Sequence, residues 1–375
     1  MATMQIGRLI IRSEATRYDC PLFLKGWGDS GSAYWLRLGE QRLPLQYVDG
    51  GLWGLLSEIP GDQDLVASLE RVEGEHPHHV IVREDEERIV VHVGSHLFTA
   101  YIKSGNPARP CFYPLRGPNG VNVTRHYPLR PDVPGETNDH VHHRSMWVAF
   151  GDVNGVDNWS EEPGHGYTVH RHSQNVFSGV VCGGFETVSD WTDAQGNKLL
   201  EQYLRVRVFP LPAEEALIDI SVSLRATEGD VRFGDTKEGG ILSVRVASSM
   251  DVPRGGRIEN SEGGVNEPET WGKRAHWCDY SGVVDGVPVG IAILQHPSSF
   301  RHPAWWHVRD YGLMTVNPFG LAAFTHGQEH GEYILPRGES LHWQFRVCIH
   351  RGDATAGRIA MHWQNFSSPP SVQEG

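Results

Sequence analysis

NDHVHHRSMWVAF, residues 138–150, is the stretch from which the rest of the chain is read. Three histidines, an aspartate and an arginine fall within six residues and run straight into Met146-Trp147-Val148-Ala149-Phe150. That apolar run is bounded and short, as a buried strand should be. If the extended backbone began at Asn138, side chains would alternate between two faces. His140, His142 and Arg144 would share one face, with Asp139, His143 and Ser145 on the other. A sheet does not collect such groups for packing, because a buried polar atom without a partner costs a few kcal/mol. The cluster therefore reads as a candidate site mounted at the head of a core strand.

Outward from it the chain reads as strand after strand. Gln5–Arg12, Ser32–Leu38, Arg42–Gln46 and Leu65–Val72 precede a hairpin of His79–Arg83 with Arg88–Val93 across the acidic 84–87 turn. Prolines at 107, 110, 114, 118 and 128 punctuate the next segment and exclude a regular central strand there except at a bulge. That segment would carry Arg116, Arg125, His126 and Tyr127 towards the cluster. The run 151–166, glycine-rich and acidic, is too long and polar for a hairpin turn, and loops of that kind are usually functional. Strands resume at His170–Ser173, Phe177–Val181, Gly184–Trp191, Leu199–Phe209 and Ala216–Leu224, then Ile241–Val246, Val287–Leu294 and Leu341–Ile349. Only 353–365 has helical spacing, with Asp353 as N-cap. Alternating α and β units are absent, and no fixed-period repeat argues for a propeller. The expected fold is all-β: one large two-sheet antiparallel sandwich with long loops and a short C-terminal helix, residues 1–100 packed against the part carrying the motifs.

Composition narrows the function. A formal charge of −13 and a pI near 5.9 exclude nucleic acid as the natural partner, since phosphate binding needs basic patches. Twelve tryptophans and twenty-one histidines suit a polar small molecule with a stackable face. The five cysteines are dispersed, with no C-x-x-C pair, so buried thiols in a reducing compartment are expected. No apolar run approaches the ~20 residues of a membrane helix, and the N-terminus lacks a signal-peptide core, which points to the cytoplasm. Oligomeric state is not legible.

Two further segments carry chemistry. FGDTKEGG, 233–240, sets Asp235, Lys237 and Glu238 among glycines that bend beside a ligand. RHPAWWHVRDYG, 301–312, mixes Trp305 and Trp306 with His307, Arg309, Asp310 and Tyr311, a pocket's blend of flat apolar walls and placed polar groups. Simple alternation buries one of the two tryptophans. His143 and His307 are the expected acid–base pair. Arg144 and Arg309 would steady negative charge, and Asp235 with Asp310 would permit two-carboxylate glycosidase chemistry. Lys237, Glu238, Trp305, Trp306, Tyr311, Asn154 and Asn317 would hold substrate. No cofactor is required, but His140, His142 and Asp139 could supply ligands to a divalent metal, as His-x-His pairs do.

The strings RPCFYPLRGPNG, HHRSMW, GDVNGVDNW, GDTKEGG, GKRAHWCDYSG and RHPAWWHVRDYGLMTVNPFG together resemble the DUF6807 family, also called PmoA-like, from about Tyr101 to His350. The family in turn resembles galactose-mutarotase-like supersandwich proteins, a fold shared with sugar epimerases, lyases and glycosidases. The resemblance implies a carbohydrate-active enzyme of the hydrolase or lyase type. The rival readings are a metal-dependent oxygenase or hydrolase and a non-catalytic sugar-binding protein. This chain departs from the family pattern at Val141 and Gln295, so no catalytic group is assigned at 295.

Overall fold

The computed structural model describes residues 3–105 and 108–375, so Pro107 of the proline series lies outside the described residues. Two eight-stranded antiparallel sheets face each other across one core. The first runs, edge to edge, Trp305–Arg309, Leu313–Asn317, Gly239–Arg245, Met146–Phe150, Cys111–Leu115, His96–Ile102, Arg88–Val93 and Val80–Glu84. The second runs Tyr167–Phe177, Gly183–Thr192, Lys198–Pro210, Ala216–Arg225, Ser340–Arg351, Val287–Gln295, Trp277–Val284 and Arg257–Asn260. Met146, Val148 and Phe150 of the opening stretch point into the shared core, while Trp147 and Ala149 point away from it. Period-two alternation across paired strands does the rest: Trp147 lies opposite Ser243, Ser243 opposite Thr315, and Thr315 opposite His307. One face of the first sheet thus collects polar and aromatic groups from strands far apart in sequence.

Residues 3–73 form a sheet of their own with a separate apolar core around Leu22, Leu36, Leu52 and Leu69. The C-terminal strand Ser371–Glu374 closes its edge by pairing with Leu9–Arg12. Strands Arg17–Lys25 and Gly51–Ile59 belong here and are not visible from periodicity, since both are buried on both faces along much of their length. The strands of residues 80–102 belong to the sandwich instead. Trp53 and Leu55 join the two bodies by packing against Val181, Phe209 and Leu217 on the second sheet's outer surface.

Two local expectations change. The helix spans Ile359–Ser367 rather than 353–365. Asp353 does cap, but it accepts from the Thr355 and Ala356 amides in a turn, and Arg358 at φ 50° interrupts the backbone before the helix begins. Pro114 sits inside a central strand, tolerated because the register shifts between Phe112 and Leu115. Cys20, Cys111, Cys182, Cys278 and Cys348 are all buried. No helix among the described residues is long and apolar enough to cross a membrane.

The tryptophan pair divides as alternation requires. Trp306 is fully buried in the core and donates its indole N–H to the Ala275 carbonyl at 3.0 Å. Trp305 stays half-exposed on the outer face beneath Arg274, 4.8 Å from its ring centre. Trp306→Ala should cost about 3–5 kcal/mol in chemical denaturation, through the cavity and the orphaned carbonyl. Trp305→Ala should cost under about 1 kcal/mol, and an equal loss at both positions would contradict the assigned faces.

Candidate functional site

The strand begins only at Met146, so the alternation expected for residues 138–145 does not occur. His140 at φ 45° and Ser145 at φ 60° turn the backbone through the left-handed region, and the His143 amide donates back to the His140 carbonyl. The histidines therefore gather instead of alternating. His140 and His143 lie face to face, with ring centres 4.7 Å apart and planes 4° apart, and His142 meets His143 edge-on at 4.5 Å. Beneath them, His143 stacks on Trp147 at 5.5 Å, and Trp159 from the 151–166 loop closes the side.

Two buried arginines hold this turn. Arg125 donates to the carbonyls of His140 (2.9 Å) and His143 (3.4 Å) and to Asp139 Oδ1 (2.5 Å). Arg245 donates to the same Asp139 oxygen at 3.0 Å and to His143 Nδ1 at 3.0 Å. An arginine has only protons to offer, so His143 Nδ1 must be the accepting nitrogen and the ring proton sits on Nε2. Asp139 Oδ2 lies 3.3 Å from His140 Nδ1. Burial favours the neutral form of Asp139, but Arg245 and Arg125 outweigh it and keep the carboxylate below its usual range.

Tyr311 brings in the third segment. Its ring stacks on His140 at 5.2 Å and lies under Arg245 and Arg309, at 4.9 and 5.4 Å. It sits in the Asp310–Gly312 turn, where Gly312 adopts φ +99° and a Cβ would stand 2.6 Å from Asp251 Oδ1. His307 is buried on the same sheet face, and its Nδ1 lacks a partner among the described residues. Lys237, near enough to His307 to depress its protonation, pairs with Glu238 at the exposed rim. Residues 139–147, 237–238 and 307–311 thus meet on one outer face.

The electrostatics are one-sided. Burial, then neighbouring cations, drives His143 well below the ordinary imidazole value. Burial and Arg109 bring His142 to about 4, and burial with Lys237 brings His307 to about 3. Burial raises Tyr311 despite Arg309 and Arg245. Arg144 makes a bidentate pair with Glu161, both distances 2.7 Å and both side chains buried. Arg144 is thereby a wall of the site, engaged by its own counter-ion.

Several expected residues are committed elsewhere. Asp235 accepts from the Ala322 and Gly331 amides, and Asp310 accepts from the Glu267 amide, so each carboxylate caps a separate piece of backbone. Asn317 spends all four of its hydrogen bonds on the carbonyls of Thr236 and Gly239 and the amides of Phe319 and Gly320. It shapes the 236–239 loop and has nothing left for a ligand. Asn154 pairs with the Arg232 backbone in a turn. Trp306 is core. For a metal, no group of three His, Cys, Asp or Glu side chains among the described residues has suitable geometry. The physical obstacle is Asp139, whose Oδ1 already carries two guanidinium contacts. Arg245, Glu161 and Trp159 are the members missed in the sequence. Arg245 could have been found by alternation from Ser243 along its strand, whereas Glu161 and Trp159 arrive on an irregular loop.

Residues 88–364 match the model of a family of unknown function, DUF6807. The chain belongs to this family. Among curated proteins nothing matches. A solved Escherichia coli K12 protein, provisionally named an aldose 1-epimerase, aligns over 73% of this chain and 100% of its own, at 10% identity and a TM-score of 0.27. So loose a superposition carries no weight for function, and the geometry of this DUF6807 chain must speak for itself.

Two outcomes test the site's electrostatics. Burial raises the Glu161 carboxyl, but the hydrogen bonds and charge of Arg144 bring it net below the ordinary value. A depressed carboxylate stabilises above its unfolded pKa of about 4.3, and that stability is lost as pH falls through the folded value. Glu161→Gln, which strands a buried guanidinium, should therefore cost about 3–5 kcal/mol at pH 7. The gap should narrow below about pH 4. Second, NMR titration should show no protonation of His142, His143 or His307 above about pH 5. An inflection near neutrality at any of the three would refute the depression that burial and the neighbouring charges produce.

Proposed function

We propose that the protein is a carbohydrate-active enzyme that moves a proton at a sugar carbon beside a carbonyl or carboxylate, with elimination or epimerisation as the outcome. The observation that supports this reading is Tyr311 stacked on His140 under Arg245 and Arg309. A proton acceptor, a proton donor and two fixed cations are then neighbours, as enolate-forming chemistry requires.

Roles follow from the protonation states. His143, with Nδ1 engaged by Arg245, cannot take up a proton there and is suited to donate its Nε2 hydrogen to a developing oxyanion. His140 is the exposed imidazole, with Asp139 beside Nδ1, so Nε2 is left as the base. This moves the acid–base assignment from His143 to His140. Arg309 stabilises the enolate, and the Tyr311 hydroxyl delivers a proton to the leaving oxygen or the opposite ring face. Trp305, half-exposed along the same face, is a stacking surface for a sugar ring. Two-carboxylate hydrolysis is the weaker alternative, because Asp235 and Asp310 are tied to separate backbone amides.

The test is turnover on a panel of keto-glycosides and uronate-containing oligosaccharides, with product read by mass and by absorbance of any new conjugated double bond. His140→Gln should keep the melting temperature and lose roughly 10²–10⁴ in kcat, because glutamine cannot exchange a proton near neutral pH. Tyr311→Phe should lose activity without losing the stack. Undiminished turnover in His140→Gln would remove this histidine from the mechanism.

A further inference from the structure

The second sheet's outer surface carries a hollow of about 350 Å³ where the N-terminal sheet and the C-terminal helix close over it. Its floor is two cross-strand rungs, Arg205–Ser221–Gln344 and Arg207–Asp219–Arg346, drawn from three adjacent strands. The intervening residues Val206, Ile220 and Phe345 point into the sandwich core, so alternation alone puts six polar side chains on one patch. The walls are aromatic. Phe23 and Trp53 stack at 4.7 Å, and Phe366 lies against Arg346.

Each cation of the floor has its own anion. Arg346 holds Asp219 bidentately at 2.6 and 2.8 Å, Arg205 holds Glu186 at 2.6 Å, and Arg207 reaches Asp49 of the N-terminal sheet. The hollow is therefore balanced in charge, with no excess cation to demand an anionic ligand. Its hydrogen bonding is not balanced. Trp53 Nε1, Arg207 Nε and Arg346 Nη1 are buried donors, and Asn365 Oδ1 a buried acceptor, each without a partner among the described residues. Arg346 and Asn365 are 3% and 2% exposed. Leaving buried polar groups unpaired is costly, so four around one small hollow are not explained by packing.

We propose that this hollow is a second, non-catalytic binding site for one neutral sugar ring. Charge balance selects a neutral ligand, the aromatic rings, whose faces are taken by one another and by Arg207 and Arg346, leave apolar edges for ring C–H groups, and hydroxyls can both accept from the orphan donors and donate to Asn365 and Asp219. The volume lies at the lower end of ligand pockets, enough for a monosaccharide unit but not a chain. It lies across the core from His140 and does not depend on the reaction proposed there.

Calorimetric titration of the full-length protein with D-glucose, D-galactose, D-mannose and D-glucuronate tests it. At least one neutral sugar should bind and should quench tryptophan fluorescence, and any glucuronate binding should be unaffected by blocking the hollow. Ser221→Trp, which fills the hollow, should weaken that binding at least tenfold while leaving turnover unchanged. His140→Gln should leave the binding intact. If Ser221→Trp does not fold, Gln344→Trp at the exposed rim blocks the same space. The proposal is overturned if no neutral sugar binds, or if folded blocking variants bind it as wild type does.

Discussion

The structure of the site depends on one carboxylate shared between two buried guanidiniums. Arg125 and Arg245 have no exposed side-chain surface, yet both donate to the same Asp139 oxygen. Two charges removed from water need compensation, and a single half-exposed aspartate leaves a net positive region. That residual field has structural and chemical consequences together. The guanidiniums gather the carbonyls of His140 and His143 into a tight turn, and they add to the burial that keeps the His143 imidazole neutral.

Burial and hydrogen bonding set the two histidines apart. His143, buried and fixed at Nδ1 by Arg245, becomes a donor of defined tautomer. His140, stacked on it but exposed, keeps access to solvent and to a carboxylate. Two adjacent imidazoles of one sequence motif are thus separated in function by burial and by a single hydrogen bond. The same logic applies to the carboxylates: Asp235 and Asp310 are withdrawn into backbone capping, and Glu161 into a buried ion pair, which is why the proposed reaction assigns acid–base work to histidine and tyrosine.

The two faces of the sandwich repeat one device. On each sheet, inward alternation builds the shared core, and outward alternation assembles polar rows from strands distant in sequence. On the first sheet the row is covered by irregular loops and becomes the candidate catalytic face. On the second it is covered by a separate sheet and a helix, which leaves a small hollow with unpaired donors.

The sequence by itself determined the all-β class, most strands of the sandwich, a C-terminal helix that overlaps the expected 353–365, and the segments 138–150 and 301–312 from which the candidate site is built. These are properties of period-two alternation and local turn chemistry, which act over a few residues. It did not determine the faces of residues 139–145, because two left-handed residues, His140 and Ser145, break the alternation there. Nor could it show that Asn317 is consumed by four backbone groups, that Asp139 is claimed by two arginines, or that Arg245 fixes the tautomer of His143. Those outcomes rest on contacts across more than a hundred residues of chain or on irregular loops, where no periodicity carries the information. Tertiary structure decided which polar groups are spent on the fold and which are left for a ligand.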